Sequence, residues 1–139
     1  MYNGSPVIGV ALVPDHDPAS IDHWVTVLSG FPGVQVFSVG TPPDWWAGHK
    51  TVRDAIPIEE TDSPIVIVSP EGARKLPGTV SLVDYTHLDD VIYLFGGDHS
   101  ILTTELSYAD SLYIPSDGAE FYSHVAGAIV LYDRMLKSG

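Results

Sequence analysis

Apolar residues gather along the chain in short continuous runs: VIGVALV at 7–13, VQVFSVG at 34–40, PIVIVSP at 64–70 and DVIYLFGG at 90–97. Runs of this length, rich in Val and Ile and bounded by Gly, Pro and Asp, predict strands. TVSLVDY (79–85) and DSLYIPSDG (110–118) read as two further short strands. Elsewhere the spacing changes. Ile21, Trp24, Val25 and Leu28 recur at helical intervals behind Asp17-Pro18, which predicts a helix from Pro18 to Ser29, closed by the segment Gly30 to Gly33. KTVRDAI (50–56) and EGARKLPG (71–78) each predict a helical turn, and SILTTELSYA (100–109) a helix. FYSHVAGAIVLYDRMLKSG (121–139) is the closing helix.

Continuous apolar strands alternating with helices predict an α/β fold, a mostly parallel sheet with helices on both faces, built as one domain over residues 1–139. In such sheets ligands lie beyond the carboxyl ends of the strands. The loops PDHDPAS (14–20), GGDHS (96–100) and IPSDG (114–118) all follow strands, so they can converge on one site.

Composition narrows the chemistry. The absence of cysteine removes disulfides, thiolate nucleophiles and thiolate zinc sites together. No run approaches the ~18 apolar residues of a membrane span, and MYNGSPVIGV lacks the basic start of a signal peptide, so a cytoplasmic protein is expected. Eighteen acids against six bases give a net charge of −12. Nucleic-acid affinity comes largely from Lys and Arg displacing counterions, and six cations cannot build a broad basic patch. RNA, if bound, is held locally or with the help of a protein partner.

GGDHS resembles the manganese-binding motif of arginase-type ureohydrolases. That family also needs Asp-rich segments of the DAHxD and SxDxDxxDP type and a chain more than twice as long, and neither segment occurs here. Asp15-His16-Asp17 is the other dense cluster of potential ligands, and it has no such partner. No metal site is expected.

Three segments in order resemble the SPOUT superfamily of α/β-knot methyltransferases, in particular the tRNA/rRNA ribose 2′-O-methyltransferase branch. ALVPDHDPASIDHWVTVLSGF (11–31) is similar to that family's strand followed by H-N-P-x-N-x-G-A-I-x-R. DVIYLFGGDHS (90–100) is similar to its strand ending in G-N-E. ADSLYIPSDGAEFYSHVAGAIVLYDRM (109–135) is similar to its D-x-x-v-x-I-P-M-x-G and to the helix beginning S-L-N. The resemblance implies a C-terminal trefoil knot and S-adenosylmethionine (SAM) held against Phe95, Gly96, Gly97, Asp98, Ile114, Pro115, Ser116, Tyr122 and Ser123. It also implies a homodimer through the terminal helices. Phe121, Val125, Ile129, Tyr132 and Leu136 form an apolar stripe on the last helix that suits this, with Ala128, Leu131 and Met135 widening it.

The family's catalytic positions are altered. The Arg implied to activate the ribose hydroxyl falls on Thr26, which has neither a guanidinium nor a base, and the conserved-type Asn and Gly fall on Ser20 and Asp22. The S-L-N triplet falls on Glu120-Phe121-Tyr122 or on Tyr122-Ser123-His124, depending on register. Glu120, His124 and Asp22 are the candidate catalytic groups, His124 because imidazole titrates near neutral pH. Trp45 and Trp46, with Lys50 and Arg53, are the candidate substrate contacts: an indole for an unpaired base and cations for its phosphates. Two functions follow, a SAM-dependent methyltransferase acting on RNA or a non-catalytic SAM- or nucleotide-binding knotted dimer that serves as sensor or partner subunit.

Overall fold

The computed structural model describes residues 6–13, 18–69, 78–95, 109–115 and 123–138. Its core is a sheet of seven strands: β1 (Ile8–Leu12), β2 (Gln35–Ser38), β3 (Ile56–Pro57), β4 (Ile65–Ser69), β5 (Val80–Ser81), β6 (Val91–Phe95) and β7 (Asp110–Tyr113). Every pairing is parallel, in the order β3-β2-β1-β6-β4-β7-β5. Both edge strands are two residues long, which leaves little open backbone for another chain to pair with.

Alternation along the strands sorts the core onto two faces. Val10, Leu12, Val66, Val91, Tyr93, Phe95 and Leu112 point to one face, where they meet Ile21, Trp24 and Leu28 of α1 (Pro18–Ser29) and Ala126, Val130 and Leu131 of α2 (Ser123–Ser138). Ala11, Phe37, Ile65, Ile67, Ile92 and Leu94 point to the other face with Ile58, and they are equally buried. The described helices thus cover the first face. The helical turn and the helix expected at 71–78 and 100–109 lie almost wholly outside the described residues.

α1 has the bounds its sequence predicts. Pro supplies the pre-set φ of a first helical turn, and Gly30 and Phe31 close the helix by donating to the Val27 and Leu28 carbonyls. KTVRDAI makes one hydrogen-bonded turn, with the amides of Val52 and Arg53 both donating to the His49 carbonyl, before Pro57 ends β3. TVSLVDY is only partly a strand: after Val80–Ser81 it tightens into a 3-10 turn at Leu82–Asp84, started by the Ser81 hydroxyl accepting from the Val83 amide. At the amino end of the sheet, one Asp90 oxygen accepts from the Val7 amide and the Ser63 hydroxyl, tying the entries to β1, β4 and β6 together.

Candidate functional site

The strand order singles out one place along the carboxyl edge of the sheet. From β1 and β2 the chain steps outward toward β3, whereas β4, β6 and β7 lie on the other side of β1. The connections therefore diverge between β1 and β6, whose last residues Leu12 and Phe95 stand side by side. An open α/β sheet binds its ligand in the crevice outside the carboxyl ends of such diverging strands. The segments 14–17, 96–108 and 116–122 that leave β1, β6 and β7 at this end lie outside the described residues. Gly96, Gly97, Asp98, Ser116, Glu120 and Tyr122 fall within them.

Around the crevice, the described residues form a rigid shelf. Trp24 is wholly buried, its ring 5.1 Å from that of Phe95. Its indole N–H donates to the Ser123 hydroxyl at 3.1 Å, across 99 residues of sequence. Gly127 lies directly beneath: a Cβ there would run into the six-membered ring of Trp24, so only glycine lets the backbone of α2 come this close. Phe95 and Ser123 thus support this shelf through their side chains. Ile114 is half-buried against the same core, and Pro115 is exposed beyond the end of β7.

Three histidines and an aspartate surround the amino ends of the two helices. His23 of α1 and His124 of α2 stack with ring centres 4.5 Å apart and planes 16° from parallel. Asp22, on the next outward position of α1, has its carboxylate 3.7 Å from Nδ1 of His49. The structure thus brings Asp22 and His124 to the same end of the molecule but against different histidines. His23 and His49 are members of this cluster that the motif comparison does not select. Thr26 faces solvent one turn along α1, its hydroxyl 3.4 Å from the Asp22 carbonyl, and α1 carries no cation at all.

The tryptophan pair divides. Trp46 is 1% exposed and packs in the core under a 3-10 turn (Asp44–Gly48), where it cannot stack on a nucleobase. Its indole N–H is the one buried side-chain polar atom without a partner among the described residues. Trp45 is 37% exposed and meets Trp46 and His49 edge-on, at 6.3 and 5.4 Å between ring centres. Lys50 and Arg53 are exposed nearby, Arg53 beside Asp54 at 3.6 Å.

A second polar cluster, at the amino end of β6, is invisible to motif reading. His87 is almost fully buried, and one ring nitrogen meets Tyr93 Oη at 2.6 Å while the other meets Asp133 Oδ2 at 2.7 Å. Arg134 donates to the Tyr93 oxygen and the Leu88 carbonyl; Lys137 donates to Asp133 and to the carbonyls of Leu82 and Tyr85. These bonds fix the protons. Tyr93, already accepting from Arg134, donates to Nδ1, and Nε2–H donates to Asp133. Burial pushes the His87 pKa down, and this outweighs the attraction of Asp133. Burial would raise Asp133, yet the bonds from His87 and Lys137 prevail and hold it below the usual carboxylate range. Burial, then the bond to Asp110, pushes Tyr85 well above the ordinary tyrosine value. Beside this network lies an open cleft of about 470 Å³, bordered by Val83, Tyr85, Asp89 and Ser138. The Asp133–Lys137 spacing on a helix and a lone Tyr in the VIYLF strand are its only signals in the sequence.

No protein-family model matches the chain, and no curated protein matches it in sequence. Solved structures do match its fold. An S-adenosylmethionine-bound rRNA methyltransferase from Sinorhizobium meliloti superposes with a TM-score of 0.69 at 19% identity, over 99% of this chain and 59% of that one. The SpoU methyltransferase AviRb from Streptomyces viridochromogenes, also in complex with S-adenosylmethionine, gives 0.67 at 13% identity, over 96% of this chain and 58% of its own. A structure concerned with the 2-OH methylation of C/U34 on tRNA gives 0.66 at 16% identity, over 98% of this chain and 100% of the other. The chain thus spans about three fifths of the first two proteins and the whole of the third. At these identities the likeness is one of fold, and the chain has the α/β fold of the SPOUT RNA methyltransferases.

Proposed function

We propose that the protein binds SAM in the crevice beyond β1, β6 and β7 and is a methyltransferase-type protein directed at RNA. The observation that carries this reading is the shared fold over nearly the whole chain with methyltransferases solved holding that cofactor. The diverging connections at β1 and β6, and the Trp24–Ser123–Gly127 contact that seats the start of α2 beside them, support the same location. SAM would contribute an electrophilic methyl group. The chain's part is to bind it against backbone groups of the loops after Phe95 and Ile114-Pro115, including Gly96, Gly97, Asp98, Ser116 and Tyr122, and to exclude water from it. Positioning alone supplies much of the acceleration of such a transfer. His124, Asp22 and Glu120 are the candidates for taking a proton from the acceptor.

A second reading, a non-catalytic SAM-binding subunit, is favoured by one feature. The family's Arg position is Thr26, and no cation on α1 replaces it. In either case we propose a cytoplasmic homodimer with a C-terminal trefoil knot. Tyr132, Met135 and Leu136 leave an exposed apolar stripe along α2 that suits a second copy, while Leu131 is buried inside its own protomer. Among the described residues no helix is long and apolar enough to cross a membrane.

The test is calorimetric titration with SAM and S-adenosylhomocysteine, beside a Gly97→Trp variant whose side chain would fill the crevice. Micromolar binding that the variant loses supports the cofactor site. Binding unchanged in the variant, or none at millimolar ligand, contradicts it.

A further inference from the structure

Four of the six cations lie among the described residues. Arg134 and Lys137 are engaged by backbone carbonyls, Tyr93 and Asp133 at the amino end of the sheet. Lys50 and Arg53 are exposed, on the segment that leaves the carboxyl end of β2, one strand from β1. That segment is held firmly. The Trp46 amide donates to the Pro43 carbonyl, His49 to Trp46, and Val52 and Arg53 to His49, while Trp46 and Val52 anchor it in the core. On this base stand Trp45, about a third exposed, and His49, a quarter exposed, their ring centres 5.4 Å apart and their planes 82° from parallel. Asp22 of α1, the helix that follows β1, comes to 3.7 Å from His49.

An exposed indole, a neighbouring imidazole and two exposed cations on the same segment form a corner that suits a nucleotide. Every nucleotide has a base π-face that stacks on an exposed indole, a base edge that an imidazole nitrogen can bond, and a phosphate that a cation can meet. We propose that Trp45 and His49 hold one unpaired nucleobase of single-stranded RNA beside the methyl-transfer crevice. This rests on the function proposed above and adds the place where the acceptor strand docks. Asp44 adjoins Trp45 in sequence, Asp54 pairs with Arg53 and Asp22 comes to 3.7 Å from His49, so stacking is expected to dominate over electrostatics. That sets the salt dependence. With at most Lys50 and Arg53 on phosphates, log K falls against log salt with a slope no steeper than about −1.4.

The experiment measures binding of fluorescein-labelled hexauridylate and hexa-adenylate RNA by anisotropy, with tryptophan fluorescence read in parallel on unlabelled RNA. Trp24 and Trp46 are buried, so quenching reports Trp45. The proposal expects quenching by both oligonucleotides and roughly tenfold weaker binding in Trp45→Ala, with most affinity kept in Trp45→Phe. His49→Ala weakens binding, whereas His49→Gln, which keeps a donor and an acceptor, restores most of it. Lys50→Ala makes the salt slope shallower. An unquenched wild type, or Trp45→Ala and His49→Ala that bind as wild type does, overturns the proposal. SAM titrations on the same variants separate the two claims. SAM binding with RNA binding that ignores Trp45 sinks the corner alone, and Trp45-dependent RNA binding without SAM sinks the cofactor site alone.

Discussion

Gly127 carries more of this molecule than its size suggests. An Ala at a helical glycine ordinarily gains up to ~1 kcal/mol of helix propensity. Here the new methyl meets the Trp24 ring, which is pinned between Phe95 and its bond to Ser123 and cannot retreat. Overpacking a closed contact costs about 1–3 kcal/mol, so Gly127→Ala is expected to lower stability in a urea unfolding titration despite the better helix former. An unchanged or raised midpoint would show that the α1–α2 contact is loose. The adjacent tryptophans give the matching lesson about sequence. Trp45 and Trp46 stand in identical local surroundings, and no pattern says which one enters the core. The 3-10 turn decides it by turning one indole inward over Val52 and the other out.

Among the elements, α1, β1 and β6 were legible from the chain alone, because each combines a full-length apolar pattern with Pro or Gly punctuation at its ends. β3 was not. It is two residues long and contains Pro57, which lacks an amide for the ladder and is tolerated because the strand is an edge. The His87 network was also illegible, since it joins a loop and the centre of β6 to the last turns of α2, more than forty residues on from His87. Its pH behaviour follows from the buried imidazole. Folding lowers the His87 pKa below the ordinary 6.5, so the unfolded chain binds the extra proton first. Stability is therefore expected to fall as pH drops through about 6.5, until the folded form also takes up its proton. Protonation would leave the Tyr93 hydroxyl facing two donors, Arg134 and Nδ1–H, beside two fixed positive charges. Unfolding midpoints compared between pH 7.5 and 5.5 should fall less in His87→Gln than in wild type. Equal losses would place the effect on the other five histidines.

At the scale of the whole molecule, the sheet has an end proposed to bind SAM and a fastening end. At the carboxyl ends of β1 and β6 the connections diverge and the two described helices begin near this end, whereas at the amino ends Asp90, His87 and the last turns of α2 lock the strands together. The fold class could be anticipated, since strand–helix alternation is carried in local sequence. The histidine cluster was less accessible, because His23 meets His124 and His49 nears Asp22 only through helix packing and a turn. The exposed face of α2 bears on assembly. Leu136→Asp should convert a dimer to a monomer in sedimentation equilibrium, and a wild type that is already monomeric would rule out that interface.

The central claim is that SAM occupies the crevice beyond β1, β6 and β7, and a two-dimensional NMR titration of 15N-labelled protein tests it most directly. Adding SAM should shift the Trp24 indole N–H and the amides of Phe95, Ile114 and Ser123, while those of residues 82–88 and 133–138 stay in place. A titration that moves the His87 end instead, or moves nothing, would contradict the account.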